Sequence, residues 1–581
     1  MRCVRNGLLA TLSAPHAANL FLISFQMHDP DDGFLSLGSP RFGSASGPAD
    51  SIRQAWGDAL ATHGPEASAL HVAGDFAVGL REPGGRTFLA VDRFAVQTLC
   101  YRIVDGQMRF AARADALAGP NAPLDPQAIF DYLYFHCIPS PRTIFKDVYR
   151  LPPGHCATFE NGQLTVAPYW VPTFATPSTA SFEALRGEFL DLLAQAVRRQ
   201  LDGSQPACFL SGGTDSSTVA GLIGRVSGQP AASYSIGFEA EGYDEMAYAR
   251  LASRHFGTEH HEYYVTPDDL VRSIGDVAAS FDQPFGNSSV LPAYYCARLA
   301  RDDGVHKLLA GDGGDELFGG NSRYALQRIF SWYQRVPVIV RRGLMEPVLR
   351  QTSRHRVPLF RRAAGYVEQA RVPMPDRLQM YNLLRRIGMD DVLSPAFMSQ
   401  VDPAAVLRQQ REVWSHSDAA SQIDRTLAFD WRYTLAESDL PKVRGATQLA
   451  GVGVGFPFLD QDLLEFSMRL PAEYKLKGLK LRWFFKQALR GFLPDEIITK
   501  KKQGFGLPFG VWVGRQQPLH RLAVDSLGSL STRGIVRPEF ITTLVDELLP
   551  AHPSYYGEMV WILMMLEQWM QGHAPRFQVA S

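Results

Sequence analysis

A short glycine loop between an apolar stretch and an amphipathic stretch constrains this chain more than any other feature. The residues run Phe209-Leu210-Ser211-Gly212-Gly213-Thr214-Asp215-Ser216-Ser217. Pro206 to Leu210 predicts a buried strand and Ser217 to Ile223 predicts a helix, so the loop joins a strand end to a helix N-terminus. The first helical turn presents unpaired N–H groups and the positive end of the dipole. The pattern therefore predicts a site for an anion such as pyrophosphate.

The residues of the loop suit a phosphate ligand. Gly212 and Gly213 let the backbone approach phosphate oxygens without an intervening Cβ, and Asp215 can hold the Mg²⁺ that neutralises them. The Walker pattern is excluded, because no Gly-Lys-Ser/Thr follows. The Ser-Gly-Gly-x-Asp-Ser pattern instead resembles the loop of ATP pyrophosphatases, which implies that ATP is cleaved to AMP and pyrophosphate. A plain glycine turn before a helix is the alternative.

Length and charge limit the classes of protein to which the chain can belong. Its 581 residues exceed the usual size of one hydrophobic core, so at least two domains are expected. A formal net charge of −1 disfavours a nucleic-acid partner. The 6 cysteines include no Cys-x-x-Cys pair, which indicates reduced thiols and a cytoplasmic location. No apolar run reaches about 18 residues, so no membrane span is predicted.

In the first part of the chain, the spacing of turn residues predicts antiparallel strands. From Leu70 to Phe110, short apolar stretches are broken by Gly, Asp and Pro, and Asn161-Gly162 is a strong hairpin signal. Met1 to Ser24 predicts a core strand rather than a signal peptide, because polar residues and Pro15 interrupt it. Pro, Thr and Ser accumulate from Val171 to Ser181, where we place a domain boundary.

The second part alternates between strands and helices. An amphipathic helix is predicted from Phe182 to Leu201, and strands such as Ala232 to Phe238 are followed by helices such as Val290 to Asp302. This alternation favours a parallel sheet, with mainly helical structure after about Gly320. The expected fold class is therefore α/β with two domains, at residues 1–172 and 173–581.

A second loop, from Ala310 to Gly320, carries the carboxylates of Asp312 and Asp315 between glycines. Like charges on a tight loop repel, so stability alone does not explain them, whereas a bound Mg²⁺ would. A solvated acidic turn is the alternative. Parallel strands present their carboxyl ends at one edge of a sheet, so this loop is expected to meet the glycine loop. Ile236, at the end of another strand, is expected beside an adenine ring.

Together with other segments, these loops resemble the asparagine synthetase family, class B, over roughly residues 70–571. The shared segments are Gly74-Asp75-Phe76-Ala77, Asp92-Arg93-Phe94, Pro141 to Lys146, Leu151 to His155, Leu210 to Ser217, Gly237-Phe238, Tyr243-Asp244-Glu245, Gly311 to Gly320, Pro457 to Asp460 and Lys500 to Gly506. The resemblance implies a C-terminal ATP-pyrophosphatase domain, of adenine nucleotide α-hydrolase type, with a helical extension. That domain would adenylate a carboxylate before an amine displaces AMP. The β-rich N-terminal domain would be an Ntn-hydrolase-like glutaminase domain that supplies ammonia.

Transferred position by position, the resemblance also implies roles for single residues. The pyrophosphate loop would be Ser211, Gly212, Gly213, Asp215 and Ser216, the adenosine contacts Phe209, Ile236 and Gly311, and the Mg²⁺ ligands Asp215 and Asp315. Lys502 and Asp312 would be catalytic. A preorganised cation at Lys502 would be worth on the order of 3 kcal/mol to the reaction barrier. A solvated basic run from Lys500 to Lys502 is the alternative.

The N-terminal half departs from the family. The family's glutaminase needs a cysteine at the mature N-terminus, whereas this sequence begins Met1-Arg2-Cys3. The Arg-Gly-Pro-Asp type of segment that holds glutamine is also absent between Gln26 and Ala73. We therefore expect a degenerate glutaminase domain and direct use of an amine.

The second half departs from the family before Pro457, where charged residues are expected. The chain instead has Arg444, Gly445, Gln448, Gly453 and Gly455, although Lys442 remains. These glycines suggest a wider pocket than free aspartate needs. They favour a synthetase that closes lasso peptides by joining an N-terminal amine to an Asp or Glu side chain. A precursor peptide and a leader-peptide protease would then be partners.

Other assignments remain open. An asparagine synthase and an amidotransferase acting on a cell-surface glycan are the main rivals. A β-lactam synthetase is disfavoured, because such relatives carry tyrosine at the position of Asp312. A catalytically silent scaffold is disfavoured by the presence of Asp215, Asp315 and Lys502.

Overall fold

The computed structural model describes residues 33–43, 51–119, 121–341, 358–501 and 506–580, without the side chains of residues 358–364. The strand predicted within Met1 to Ser24, the residue Cys3 and the residue Lys502 lie outside these ranges.

The described strands form antiparallel sheets first and a parallel sheet later. They are β1 Phe34–Gly38, β2 Phe76–Arg81, β3 Thr87–Val91, β4 Cys100–Val104, β5 Gln107–Ala111, β6 Tyr149–Arg150, β7 His155–Glu160, β8 Gln163–Pro168, β9 Ala207–Phe209, β10 Ala232–Phe238, β11 Glu259–Val265, β12 Lys307–Leu309, β13 Gly453–Gly455, β14 Leu476–Lys477 and β15 Lys480–Leu481. Two antiparallel sheets have the orders β1-β2-β3-β7-β8 and β5-β4-β6. The parallel sheet has the order β11-β10-β9-β12-β13, and β14 and β15 form a hairpin.

Helices dominate the remainder of the described chain. The α-helices are Ile52–His63, Pro65–His71, Ala114–Ala118, Pro126–Phe135, Phe182–Gln200, Thr214–Ser227, Met246–Phe256, Pro267–Ser280, Val290–Asp302, Gly314–Phe318, Ser322–Arg335, Val338–Val340, Pro358–Arg371, Leu383–Ile387, Met389–Val392, Pro395–Met398, Ala405–His416, Gln422–Asp430, Leu440–Ala450, Gln461–Arg469, Ala472–Lys475, Trp483–Ala488, Asp495–Thr499, Phe509–Val513, Gln517–Ser531, Pro538–Thr543, Leu549–Ala551 and Pro553–His573. Short 3-10 helices are Asp376–Gln379 and Pro457–Leu459, and π-helices are Trp431–Asp439 and Leu544–Leu548. Within the described ranges, no helix is both long and apolar enough to cross a membrane.

The predicted division into a β-rich half and a parallel α/β half is confirmed. The hairpin at Asn161-Gly162 joins β7 to β8, and both residues have positive φ, 52° and 78°, as a two-residue hairpin turn requires. The helix after the glycine loop was predicted to start at Ser217, which is wrong by most of a turn. It starts at Thr214, because Gly213 is extended and places Asp215 in the first turn, where the dipole favours an acid.

One of the apolar clusters contains side chains of both halves. The helix Pro126–Phe135, early in the sequence, packs among buried side chains of the late helix Pro553–His573. The hydroxyl of Tyr132 donates to the carbonyl oxygen of Ile562 at 2.9 Å. Buried aromatic rings contribute large apolar areas, so this contact ties the two halves together strongly. The residue boundary at 172 remains a prediction.

A buried carboxylate also joins the halves. Glu437 lies in the π-helix Trp431–Asp439 and accepts from Arg150 Nη2 at 3.0 Å and from Ser140 Oγ at 2.7 Å. It also pairs with Arg432. Burial would raise the pKa of Glu437, but Arg432 and Arg150 outweigh it and hold that pKa below its ordinary value. The π-helix ends two residues later, at Asp439.

Candidate active site

The glycine loop and the acidic loop meet at one edge of the parallel sheet. They follow β9 and β12, which are neighbours, with Leu309 opposite Cys208. A Cβ at Gly311 would lie 2.8 Å from the amide nitrogen of Ser216, so the loops are in direct contact. A cavity of about 1020 Å³ opens at this edge. The crevice beyond the carboxyl ends of the strands is the usual ligand position in such sheets.

Most of the residues predicted for the site line this cavity. They are Phe209, Ser211, Gly213, Asp215, Ser216, Ile236, Gly311, Asp312 and Asp315. Gly212 differs: its φ is +69° and a Cβ there would lie 2.4 Å from the nitrogen of Ala249. Glycine at this position therefore lets the loop pack against the helix Met246–Phe256.

The glycine loop is held in shape by its own serines. The amide of Ser211 donates to Ser216 Oγ at 3.1 Å, and the amide of Gly213 donates to Ser211 Oγ at 3.4 Å. No side chain among the described residues caps the helix Thr214–Ser227. The positive end of this helix dipole lies at the cavity, where an anion such as pyrophosphate would be stabilised.

A buried arginine joins the two acids assigned to the metal. Arg482 Nη1 donates to Asp215 Oδ2 at 2.7 Å and to Asp315 Oδ1 at 2.7 Å, and Nη2 donates to Asp215 Oδ1. The guanidinium lies over the ring of Phe485 at 3.8 Å. The two carboxylates thus converge on one cation, the guanidinium of Arg482. Sequence reasoning missed Arg482, which follows a short hairpin and belongs to none of the motifs.

A lysine between two further acids lines the same cavity. Lys442 Nζ lies 2.9 Å from Asp439 Oδ1 and 3.7 Å from Asp312 Oδ1. Burial raises the pKa of Asp312 to about 6, with Asp439 raising it further and Lys442 opposing. Asp312 is therefore suited to exchange a proton near neutral pH. Asp439 was missed, because its position at the end of a π-helix has no sequence signature.

The interpretation that Gly445 and Gly455 widen the pocket is wrong. A Cβ at Gly445 would lie 2.4 Å from Cζ of Phe281, and one at Gly455 would lie 2.5 Å from Oε1 of Gln200. Neighbouring side chains already fill the space that the missing side chains leave. Lys442 lines the cavity, but neither Gly445 nor Gly455 does.

Arg444 also faces away from the cavity. Its Nη1 donates to the carbonyl oxygen of Val96 at 2.9 Å and its Nη2 donates to Thr98 Oγ1 at 3.0 Å. Both partners belong to the antiparallel half. Burial lowers the pKa of Arg444. Arg444 therefore contributes to the contact between the halves, whereas Gly445 and Gly455 pack against side chains of the second half.

The basic run before Gln503 is only partly solvated. Lys500 Nζ lies 2.7 Å from Glu245 Oε1 and 4.3 Å from the ring centre of Tyr248. This ion pair fixes the segment that leads to Lys502 against the helix beside the glycine loop. Lys501 is exposed. The alternative of a solvated basic run is therefore wrong for Lys500.

Comparison with known proteins places the chain in a family. The asparagine synthase family model matches residues 188–571, and the glutamine amidotransferase domain model matches residues 58–170. The chain is 23% identical to glutamine-hydrolysing asparagine synthetase 1 of Bacillus subtilis, over 83% of this chain and 74% of that protein. It is 25% identical to a putative asparagine synthetase of Mycobacterium tuberculosis, over the same shares. It is 24% identical to amidase chyE of Penicillium rubens, over 78% and 72%. The chain therefore belongs to the asparagine synthase family and is a carbon–nitrogen ligase that uses ATP.

Proposed function

We propose that this ligase transfers AMP from ATP to a carboxylate, releasing pyrophosphate, and then joins the acyl group to an amine, releasing AMP. One observation carries the proposal: an anion site and a lysine–acid cluster border the same cavity. An acyl-adenylate formed at the first would present its carbonyl carbon to the second. The amine proton must leave during attack, so both a phosphate site and a base are needed.

The glycine loop and the paired acids would bind the nucleotide. The amides at the start of the helix Thr214–Ser227 would hold phosphate oxygens. Asp215 and Asp315 would hold Mg²⁺, which neutralises the leaving pyrophosphate. Arg482 now neutralises these two carboxylates, and its guanidinium could donate to pyrophosphate once the metal takes them over.

The lysine–acid cluster, which consists of Lys442, Asp312 and Asp439, would stabilise the reacting acyl group and accept the proton of the amine. Asp312, with a pKa raised to about 6, would accept the proton that the attacking amine loses. Lys442 would place a positive charge near the oxygen that becomes negative in the tetrahedral intermediate. Lys502, assigned by resemblance, would stabilise the α-phosphate and then the tetrahedral intermediate.

Macrolactam formation in a lasso peptide remains our proposal for the substrate, but its support has changed. The glycines near Gly445 no longer argue for it, since Phe281 fills that space. The remaining support is the absence between Gln26 and Ala73 of the segment that holds glutamine, which favours direct use of an amine. The cavity of about 1020 Å³ must hold ATP as well as the acid, so its volume does not select the size of the acid. An ammonia-using asparagine synthase is the rival.

Product analysis tests both the proposed reaction, which is adenylation of a carboxylate, and the proposed substrate, which is a peptide. ATP, Mg²⁺ and the protein are incubated with free aspartate and ammonia, or with peptides that carry a free N-terminus and an internal Asp or Glu. We expect AMP and pyrophosphate with a suitable acid, and a peptide product lighter by one water. Formation of ADP instead of AMP would exclude adenylation. Efficient conversion of free aspartate to asparagine would exclude the macrolactam assignment and leave the reaction class standing.

A further inference from the structure

A helical turn that lies outside the cavity carries three consecutive exposed apolar side chains. Val338, Ile339 and Val340 are 49%, 86% and 42% exposed. Successive residues of a helix point about 100° apart, so a turn lying on a protein surface would bury at least one of them. This projecting turn therefore exposes Ile339 almost fully, and Val338 and Val340 by just under half. Isolated exposed apolar residues are ordinary, but three in succession expose a continuous apolar surface.

Two partly exposed aromatic residues lie on the described helices before and after this turn in the sequence. Trp332, on the helix Ser322–Arg335, is 44% exposed, and Tyr366, on the helix Pro358–Arg371, is 42% exposed. The two helices pack together, with 6.2 Å between the ring centres of Phe330 and Tyr366. Tryptophan and tyrosine favour the boundary between water and lipid, where one end of the ring is wet.

The same part of the sequence concentrates positive charge. Nine arginines and two glutamates lie between Arg335 and Arg371, without a lysine or an aspartate, in a chain of net charge −1. Arg335 is exposed, and Arg341 lies over the ring of Tyr333 at 5.2 Å, next to Val340. Positive charge therefore borders the projecting apolar turn.

We propose that the arginine arm, defined as residues 322–341 with 365–371, docks on an anionic lipid surface. Val338, Ile339 and Val340 enter the boundary between headgroups and acyl chains, and the arginines contact anionic headgroups. Such a combination of apolar side chains and basic residues is what interfacial binding requires. A nucleic acid would use the arginines but would leave the apolar turn without a partner.

Docking through the arm should leave the ligase reaction unchanged. The helix Ser322–Arg335 begins next to the acidic loop, and its 14 residues carry the arm about 20 Å along the helix axis. None of the residues of the projecting turn lines the cavity. Lipid binding and turnover can therefore be measured independently.

Vesicle sedimentation tests the proposal. The full-length protein is centrifuged with vesicles of phosphatidylcholine alone, with vesicles that also contain phosphatidylglycerol, and without vesicles. We expect sedimentation only with phosphatidylglycerol, weakened by salt. Ile339→Asp should lower the partition coefficient at least about tenfold, and Arg335→Gln about fivefold. Ile52→Asp is the matched control, since Ile52 is 49% exposed in the first turn of another helix, and it should bind like wild type.

Several outcomes would overturn the proposal. One is wild-type protein that stays in the supernatant with both kinds of vesicle. Another is equal sedimentation with neutral vesicles, or Ile339→Asp that binds as wild type does. Sedimentation without vesicles that Ile339→Asp abolishes would assign the arm to self-association. A DNA oligonucleotide that binds wild type and Ile339→Asp equally, and displaces wild type from vesicles, would assign it to nucleic acid.

Discussion

Arg482 and Asp215 form a two-point ion pair at the edge of the cavity, although 267 positions separate them in the sequence. The guanidinium also reaches Asp315, at 2.7 Å. Two carboxylates this close would repel each other without a cation between them. The arginine therefore offsets the repulsion between the two acids and holds them at the same edge of the cavity.

Replacing either acid should abolish metal-dependent turnover. Asp215→Asn or Asp315→Asn removes one anionic ligand, so release of pyrophosphate should fall by at least about a hundredfold. A coupled pyrophosphate assay over a Mg²⁺ titration measures this. Thermal unfolding monitored by circular dichroism shows whether the fold persists. Turnover near the wild-type rate in a folded variant would contradict the metal assignment.

The pH dependence of turnover should follow deprotonation of the Asp312 carboxyl group. Its pKa is raised to about 6, and only the deprotonated carboxylate can accept the amine proton. We expect kcat to rise with pH through about 6 and to level off above it. Asp312→Asn should remove this rise and reduce kcat by about a hundredfold or more. Asp58→Asn, at an exposed position, is the control. A rise that persists in Asp312→Asn would show that another group titrates.

The substitution Asp312→Asn, which should lower kcat, should raise the thermal stability of the protein. The pKa of Asp312 is higher in the folded chain than in the unfolded chain, where it is about 3.9, so folding favours the protonated form. The stability that protonation contributes is lost as pH rises from about 4 through 6. Asp312→Asn carries no such charge, so it should raise Tm at pH 8 and have less effect at pH 4. Scanning calorimetry at both pH values measures this. A lower Tm at pH 8 would contradict it.

Of the neighbouring residues Lys501 and Lys502, only Lys502 should affect turnover when it is substituted. Lys502→Ala should leave the fold intact and reduce turnover by at least about a hundredfold, as expected for the loss of a preorganised charge. Lys501→Ala is a neighbouring control at an exposed position and should be neutral. Rates for both variants are compared at saturating ATP. Equal rates would show that the family resemblance selected the wrong lysine.

The contact between the halves should depend on Glu437. Glu437→Ala leaves Arg150 and Arg432 buried beside each other without their shared anion, which should lower the free energy of unfolding by about 3–5 kcal/mol. Urea unfolding measures the change. Glu412→Ala, at an exposed position, should shift the midpoint very little. Equal effects of the two substitutions would show that the buried network does not join the halves.

The chain should not hydrolyse glutamine, because the glutamine-holding segment is absent between Gln26 and Ala73. Release of glutamate is measured with and without ATP and an acyl acceptor. Protein-dependent glutamate release that Cys3→Ala abolishes would restore a glutaminase function.

Local patterns predicted a large part of the fold and of the nucleotide side of the site. The strand Ala232–Phe238 and the helix Val290–Asp302 have the bounds that the sequence predicted. Both are read from periodicity and flanking turns, which are properties of neighbouring residues. The glycine loop and the acidic loop could be placed together, because parallel strands end at one edge.

Contacts between distant segments could not be predicted in this way. Arg482 and Asp439 have ordinary sequence neighbours, and only the packing of separate elements brings them to the cavity. The glycines were misinterpreted for a related reason, because the space beside a glycine depends on residues that are distant in the sequence. A glycine at Gly445 indicates that a side chain is missing there, but Phe281 decides whether the space is open. The sequence pattern cannot reveal which distant residue fills a gap.

The bond between Tyr132 and Ile562 also sets a condition on synthesis of the chain, because 430 positions separate the two residues. At about 5–20 residues per second, a ribosome needs roughly 20–90 s to reach Ile562 after it has made Tyr132. During that interval the apolar face of the helix Pro126–Phe135 lacks its final partner. The nascent chain must therefore shelter this helix, in a non-native cluster or on a chaperone, until the last long helix has left the ribosome.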